Sequence, residues 1–204
     1  MAQALPQLLT FNEFIDLYPD DGKKYELHRG IIVAMPPPTG EHEKVIGFIA
    51  CKLTLEFARL SLPYIIPKTA FVKTPNLEST YLPDVALLNL SNLSKEPLFQ
   101  KCSTVSQGES IPLVVEVVST NWRDDYYDKL RGYEEMGIGE YWIVDYRALG
   151  ARKFIGNPKQ PTIFVCELID DEYKMTSFRG DDFIVSPTFP QLKLTAKQIF
   201  DAAK

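Results

Sequence analysis

Pro112-Leu-Val-Val-Glu-Val-Val-Ser119 and Glu140-Tyr-Trp-Ile-Val-Asp145 bracket the charged segment Asp124 to Met136. Both flanking runs are apolar on successive residues, as expected of strands deep in a sheet. The segment between them predicts a helix, with Tyr126, Leu130 and Tyr133 as its apolar stripe and Gly137 and Gly139 at its end. Strand, helix and strand in that order predict a parallel crossover. Glu116 breaks the pattern, because a carboxylate inside a buried strand is costly unless a cation pairs with it or is coordinated by it. A second acid, Asp84, opens another apolar run, Asp84-Val-Ala-Leu-Leu88.

Working outward, Thr10 and Glu13 stand at capping-box spacing, so a short helix starts near Thr10. Tyr25 to Met35 reads as a hairpin turning at Arg29-Gly30, ended by Pro36, Pro37, Pro38 and Gly40. From Glu41 to about Leu60, the residues Ile46, Ile49, Leu53, Phe57 and Leu60 recur at helical spacing. Tyr64 to Lys73 predicts a strand interrupted by Pro67. Pro83 to Leu90 and Leu113 to Ser119 are core strands, and Ser91 to Ser110 is a polar surface excursion. Tyr141 to Tyr146 returns as a strand. Ala151–Ile155, Thr162–Ile169 and Tyr173–Phe178 add an antiparallel meander turning at Asp170-Asp171. Thr195 caps a last helix, Ala196 to Ala203. The fold class is α/β, with a mixed central β-sheet flanked by helices.

The 204 residues are 45% hydrophobic and 24% charged, which fits one globular domain over 1–204. No apolar run approaches the ~20 residues of a bilayer span. Met1-Ala-Gln-Ala-Leu-Pro6 lacks the pattern of a secretory leader. Three scattered cysteines, Cys51, Cys102 and Cys166, read as reduced thiols of a cytoplasmic protein. The net charge of −5 argues against a protein that coats nucleic acid. It leaves room for a site whose clustered acids themselves lower the total.

Those acids are the chemical signal. Asp84 and Glu116 come from separate strands, and Glu116 shares a face with Val114 and Val118. Two carboxylates and the Val117 carbonyl suit a hard cation such as Mg2+, or Mn2+. Lys129 borders the helix stripe and can reach the Glu116 strand, with Asp125 one turn earlier to orient it. Glu26, on the hairpin beside His28, could add a third carboxylate or stay exposed. Asp84 could instead cap its strand, Glu116 could form a buried salt bridge, and Lys129 could be a solvated lysine paired with Asp125. Tyr133 reads as core. His28 and His42 form no His-Glu-x-x-His pair. No phosphate loop, Gly-x-Ser-x-Gly elbow or Cys-x-x-Cys is present.

Taken together, several motifs resemble the Uma family of restriction-endonuclease-like proteins. They are Tyr25-Glu26-Leu27 with Gly30, His42, Pro83-Asp84-Val85, Glu116-Val-Val-Ser119, Asp125…Lys129…Tyr133 and Gly139-Glu-Tyr-Trp-Ile-Val-Asp145. That family belongs to the superfamily named for its Pro-Asp…(Asp/Glu)-x-Lys motif. The resemblance covers roughly Phe11 to Ile199. It implies a restriction-endonuclease-like core, Asp84 and Glu116 as the two motif acids, and a divalent-metal endonuclease acting on DNA. Val118 stands where the superfamily places its lysine. Lys129 matches a position to which the Uma family moves that residue.

Three functions follow as expectations. The first is a metal-dependent endonuclease, with Asp84, Glu116 and Lys129 catalytic. Asp84, Glu116, Val117 and Glu26 would hold the metal, and Asp125, Tyr133, Ser119 and His42 would support them. The second is an inactive module of the same fold that binds nucleic acid or a protein. The third is a metal-dependent hydrolase of another substrate. The meander and the aromatic content also suggest a homodimer.

Overall fold

The computed structural model describes residues 8–76 and 78–204. The N-terminal residues on which the expectation against a leader rests lie outside that range. The elements are, in order, α1 (Phe11–Asp16), β1 (Tyr25–His28), β2 (Ile31–Ala34), α2 (Gly40–Arg59), β3 (Tyr64–Ile65), β4 (Phe71–Lys73), β5 (Thr80–Tyr81), β6 (Val85–Asn89), α3 (Leu90–Leu93), α4 (Phe99–Cys102), β7 (Thr104–Val105), β8 (Leu113–Val117), α5 (Lys129–Met136), β9 (Glu140–Asp145), α6 (Arg152–Ile155), β10 (Thr162–Ile169), β11 (Glu172–Phe178) and α7 (Ala196–Asp201).

The expected parallel crossover is present: β8 pairs parallel with β9, Glu116 opposite Ile143. Around it runs a mixed sheet in the order β11-β10-β9-β8-β6-β3. The meander extends this sheet through antiparallel β9–β10 and β10–β11 pairs. β6 is antiparallel to β8, with Val85 opposite Val115. Continuing that register brings Asp84 opposite Glu116. The expected hairpin is present as β1 and β2, and its assembly into a second mixed sheet, β2-β1-β5-β4-β7, was not visible in the sequence. The expected Tyr64–Lys73 strand is split at Pro67, one half in each sheet.

Alternation along β8 divides the interior into two cores. Leu113, Val115 and Val117 pack with Val45, Ile49 and Leu53 of α2 and with Ala196 and Ile199 of α7. Val114 and Val118 pack on the other face with Tyr133 and Met136 of α5 and with Val72, Tyr81 and Val105 of the smaller sheet. Each fully buried aliphatic side chain contributes about 1.5–3 kcal/mol. Glu116 therefore points into the second core, beneath α5. Gly132 lets α5 press close to the smaller sheet, since a Cβ there would lie 2.9 Å from Thr74 Cγ2 and 3.2 Å from Tyr81 Cε2.

Local chemistry accounts for the helix starts. Thr10 makes the expected capping box with Glu13. Thr39 follows the proline run and accepts from the His42 N–H at the start of α2. Thr195 and Gln198 cap α7 reciprocally.

Three sequence readings are corrected. Arg152–Ile155 is a helical turn, not a strand: the Ala151 carbonyl accepts from the N–H groups of Phe154 and Ile155 at 2.9 and 3.2 Å. The Ser91–Ser110 excursion carries α3, α4 and β7, and β7 buries Thr104 and Val105 inside the smaller sheet. The helix expected from Asp124 begins as a π-helical turn, Asp124–Asp128, and becomes regular only at Lys129.

Glu140 locks the start of β9 to the loop between β11 and α7. Its buried carboxylate accepts from Trp142 Nε1 at 2.5 Å, Ser186 Oγ at 3.0 Å and the Thr188 N–H at 2.8 Å. Glu140→Ala would strand these donors in the interior. It is expected to lower unfolding free energy by about 2–5 kcal/mol, read as a drop in the urea midpoint followed by Trp142 fluorescence.

Candidate active site

At the carboxyl ends of β8 and β9 the two cores part around a cleft of about 310 Å³. Its floor is Asp84, Glu116, Val117 and Lys129, one wall is Met35 to Thr39 with His42, and the opposite lip is Ser119, Thr120 and Asn121 with Arg147. Asp84 stands just before β6, its carboxylate accepting from the Val117 N–H at 2.7 Å. That bond ties the two acid-bearing strands together where they open.

Lys129 is the centre of the charge arrangement. Its ammonium lies 3.0 Å from Glu116, 3.4 Å from Glu26 and 3.7 Å from Asp125, and the residue is only 2% exposed. The sequence placed it at the border of the helix stripe, whereas it occupies the buried face with Tyr126, Gly132 and Tyr133. Burial disfavours its charge, but Glu116, Glu26, Asp125 and Asp84 outweigh burial and hold it well above the usual lysine range.

The acids divide into two kinds. Burial opposes ionisation of Glu26, yet Lys129, His28 and the Leu82 N–H together hold it below the usual range. Glu26 is fully buried, 2.7 Å from His28 Nε2, and sits behind Lys129 outside the cleft lining. Burial raises Asp84, Glu116 and Asp125, with Lys129 only partly offsetting it. Burial thus favours protons on part of this four-carboxylate cluster, and a divalent cation could displace them. This donor set, with the Val117 carbonyl, fits a hard cation. Among the described residues no group of three His, Cys, Asp or Glu side chains is preformed around a metal. Lys129 itself fills the space between the acids.

The supporting residues meet the same cluster. Tyr133 donates to Glu116 Oε1 at 2.6 Å, and burial, with Glu116 next, keeps its phenol protonated. His42 Nε2 lies 2.8 Å from the Val117 carbonyl and 3.6 Å from Asp84. Ser119 faces the cleft and donates to Asn121. Sequence reasoning missed Arg147, Lys24 and Asn121 in the cleft walls. A basic residue two positions after Asp145, at the end of a core strand, was the available signal for Arg147.

A sequence model of the family Uma2, described as "Putative restriction endonuclease", matches residues 11–197. Among solved structures the fold is similar to a protein from Anabaena variabilis, described as "a putative nuclease belonging to DUF820". The TM-score is 0.74 and the identity 16%, over 96% of this chain and 99% of that one. No curated protein matches the chain.

The metal-free cluster sets a pH dependence. Burial pushes Asp125 from 3.8 up to about 7, so the folded chain holds this proton more tightly than the unfolded one. Its contribution to stability is full below the unfolded pKa and is lost as pH rises through the folded one. In chelator the melting midpoint is expected to fall by several degrees between about pH 5 and pH 8. Asp125→Asn should flatten that slope, as thermal melts followed by circular dichroism would show.

Proposed function

As the chain belongs to the Uma2 family, we propose that it is a divalent-metal-dependent nuclease that hydrolyses phosphodiester bonds in DNA. The observation that carries this reading is the convergence of Asp84, Glu116 and Lys129 on the floor of one cleft. Asp84, Glu116 and the Val117 carbonyl would hold Mg2+ or Mn2+. When bound there, such a cation would supply charge neutralisation at the scissile phosphate and a more acidic water.

The protein groups do the positioning. Lys129, kept as an ammonium by its acidic neighbours, donates to the attacking water or the phosphate oxygens and offsets negative charge as it develops. Glu26 and Asp125 fix the ammonium from behind and beside it. Tyr133 orients Glu116, and His42 orients the Val117 carbonyl. Helix-borne Lys129 thus takes the role that Val118, packed in the second core, cannot.

Removing Lys129 leaves buried carboxylates uncompensated, so Lys129→Met is expected to cost about 3–5 kcal/mol of stability as well as activity. Asp84→Asn is the cleaner variant, because an amide oxygen can still accept from the Val117 N–H. It should melt no lower than the parent in chelator and gain no stability from Mn2+. It should also cut labelled DNA at least about a hundredfold more slowly. Undiminished cutting by Asp84→Asn would overturn the assignment.

A further inference from the structure

Beyond the cleft lip, three aromatic rings and three arginine or lysine side chains form one continuous surface. Trp122 directly follows Asn121 of the lip, and its ring centroid lies 5.9 Å from Tyr126 and 6.4 Å from Tyr127. Tyr127 is 40% exposed and stands 5.8 Å from Phe154 of α6. Cations lie over these rings: Arg123 is 4.7 Å from the Trp122 centroid, and Lys153 is 4.9 Å from Tyr127 and 4.7 Å from Phe154.

Buried groups hold the patch against the cleft. Asp145 accepts from the Leu149 and Gly150 N–H groups at 2.8 Å each and from the Tyr126 hydroxyl at 3.2 Å. Tyr126 stacks on Phe154 at 4.7 Å, and a Cβ on Gly150 would sit 3.0 Å from the Tyr126 ring. The same loop presents Arg147 to the cleft. Between Asp145 and Glu167 the chain has Arg147, Arg152, Lys153 and Lys159 and no carboxylate, although the whole chain carries −5. Among the described residues Arg123, Arg147, Arg152 and Lys153 make no salt bridge. The nearest acid along the chain, Asp124, accepts from Asn121 Nδ2 at 2.9 Å.

We propose that this surface binds an unpaired DNA strand leading into the cleft, with bases against Trp122 and Tyr127 and phosphates on Arg123, Arg147 and Lys153. Aromatic rings interleaved with unpaired cations are what stacking on single strands requires, and paired bases in a duplex offer no free face to such rings. This extends the nuclease reading to a substrate class, namely single strands or the unpaired ends of duplexes.

The test measures anisotropy of a labelled 20-mer, single-stranded or duplex, with the full chain in chelator, beside cleavage of both DNAs in Mn2+. The parent should bind the single strand more tightly. Trp122→Ala and Tyr127→Ala should each weaken that binding about tenfold while changing duplex binding less than twofold. Exposed Arg123→Gln and Lys153→Gln should each reduce the salt slope by about 0.7. Melting followed through buried Trp142 checks that every variant is folded. Equal affinity for the two DNAs, or patch variants that bind like the parent, would overturn the inference, and cleavage in Mn2+ would still uphold the nuclease reading. Patch-dependent binding without any cleavage would uphold the inference and sink that reading.

Discussion

A single ammonium group in the protein interior organises the site. Lys129 can be buried only because Glu116, Glu26 and Asp125 lie within 4 Å of it, on a strand of each sheet and on its own helix. Stripping such an ion of water costs several kcal/mol, and the neighbouring charges must repay that cost. The arrangement therefore dictates that the smaller sheet, the central sheet and α5 meet at one point. Gly132 allows the close approach, and Tyr133 supplies the hydrogen bond that completes Glu116. The acids outnumber the amine, which makes the same cluster a receptive place for a small, highly charged cation.

The strands reach this point through pairing rather than through loops. Asp84 and Glu116 are opposed by the antiparallel register of β6 and β8 and tied by the bond from Asp84 to the Val117 N–H. The parallel partner β9 then delivers Asp145, which secures the lip carrying Arg147. Charged side chains at strand ends thus do two jobs. Some face the cleft and others anchor the chain that surrounds it.

Much of this was legible in the amino-acid order. The two apolar runs with a charged segment between them announced a parallel crossover, and an acid inside each core strand region announced a site. The resemblance of the motif set to a known family agreed with both. Of the smaller sheet only the β1–β2 hairpin was legible, because β5 and β7 span two residues each and carry no periodicity. Arg152-Lys-Phe-Ile155 gives a strand-like reading, but pinning of the preceding loop by Asp145 sets up a turn instead. The depth of Lys129 also escaped the pattern. A lysine at a core-facing helix position violates the usual assignment of charge to solvent, and its partner Glu26 is distant in sequence. The π-helical turn has no marker in composition at all. Glu26 illustrates the same limit, since nothing within its hairpin reveals the amine that keeps it buried and charged.

The placement of that lysine on a helix rather than a strand has a temporal consequence. Asp84 and Glu116 leave the ribosome before residue 129, and the first and second cores are still without α7 and the β10–β11 hairpin at that moment. The trio is complete only after α5 has docked across both sheets. Any chemistry that requires all three groups is thereby withheld from nascent and partly opened chains.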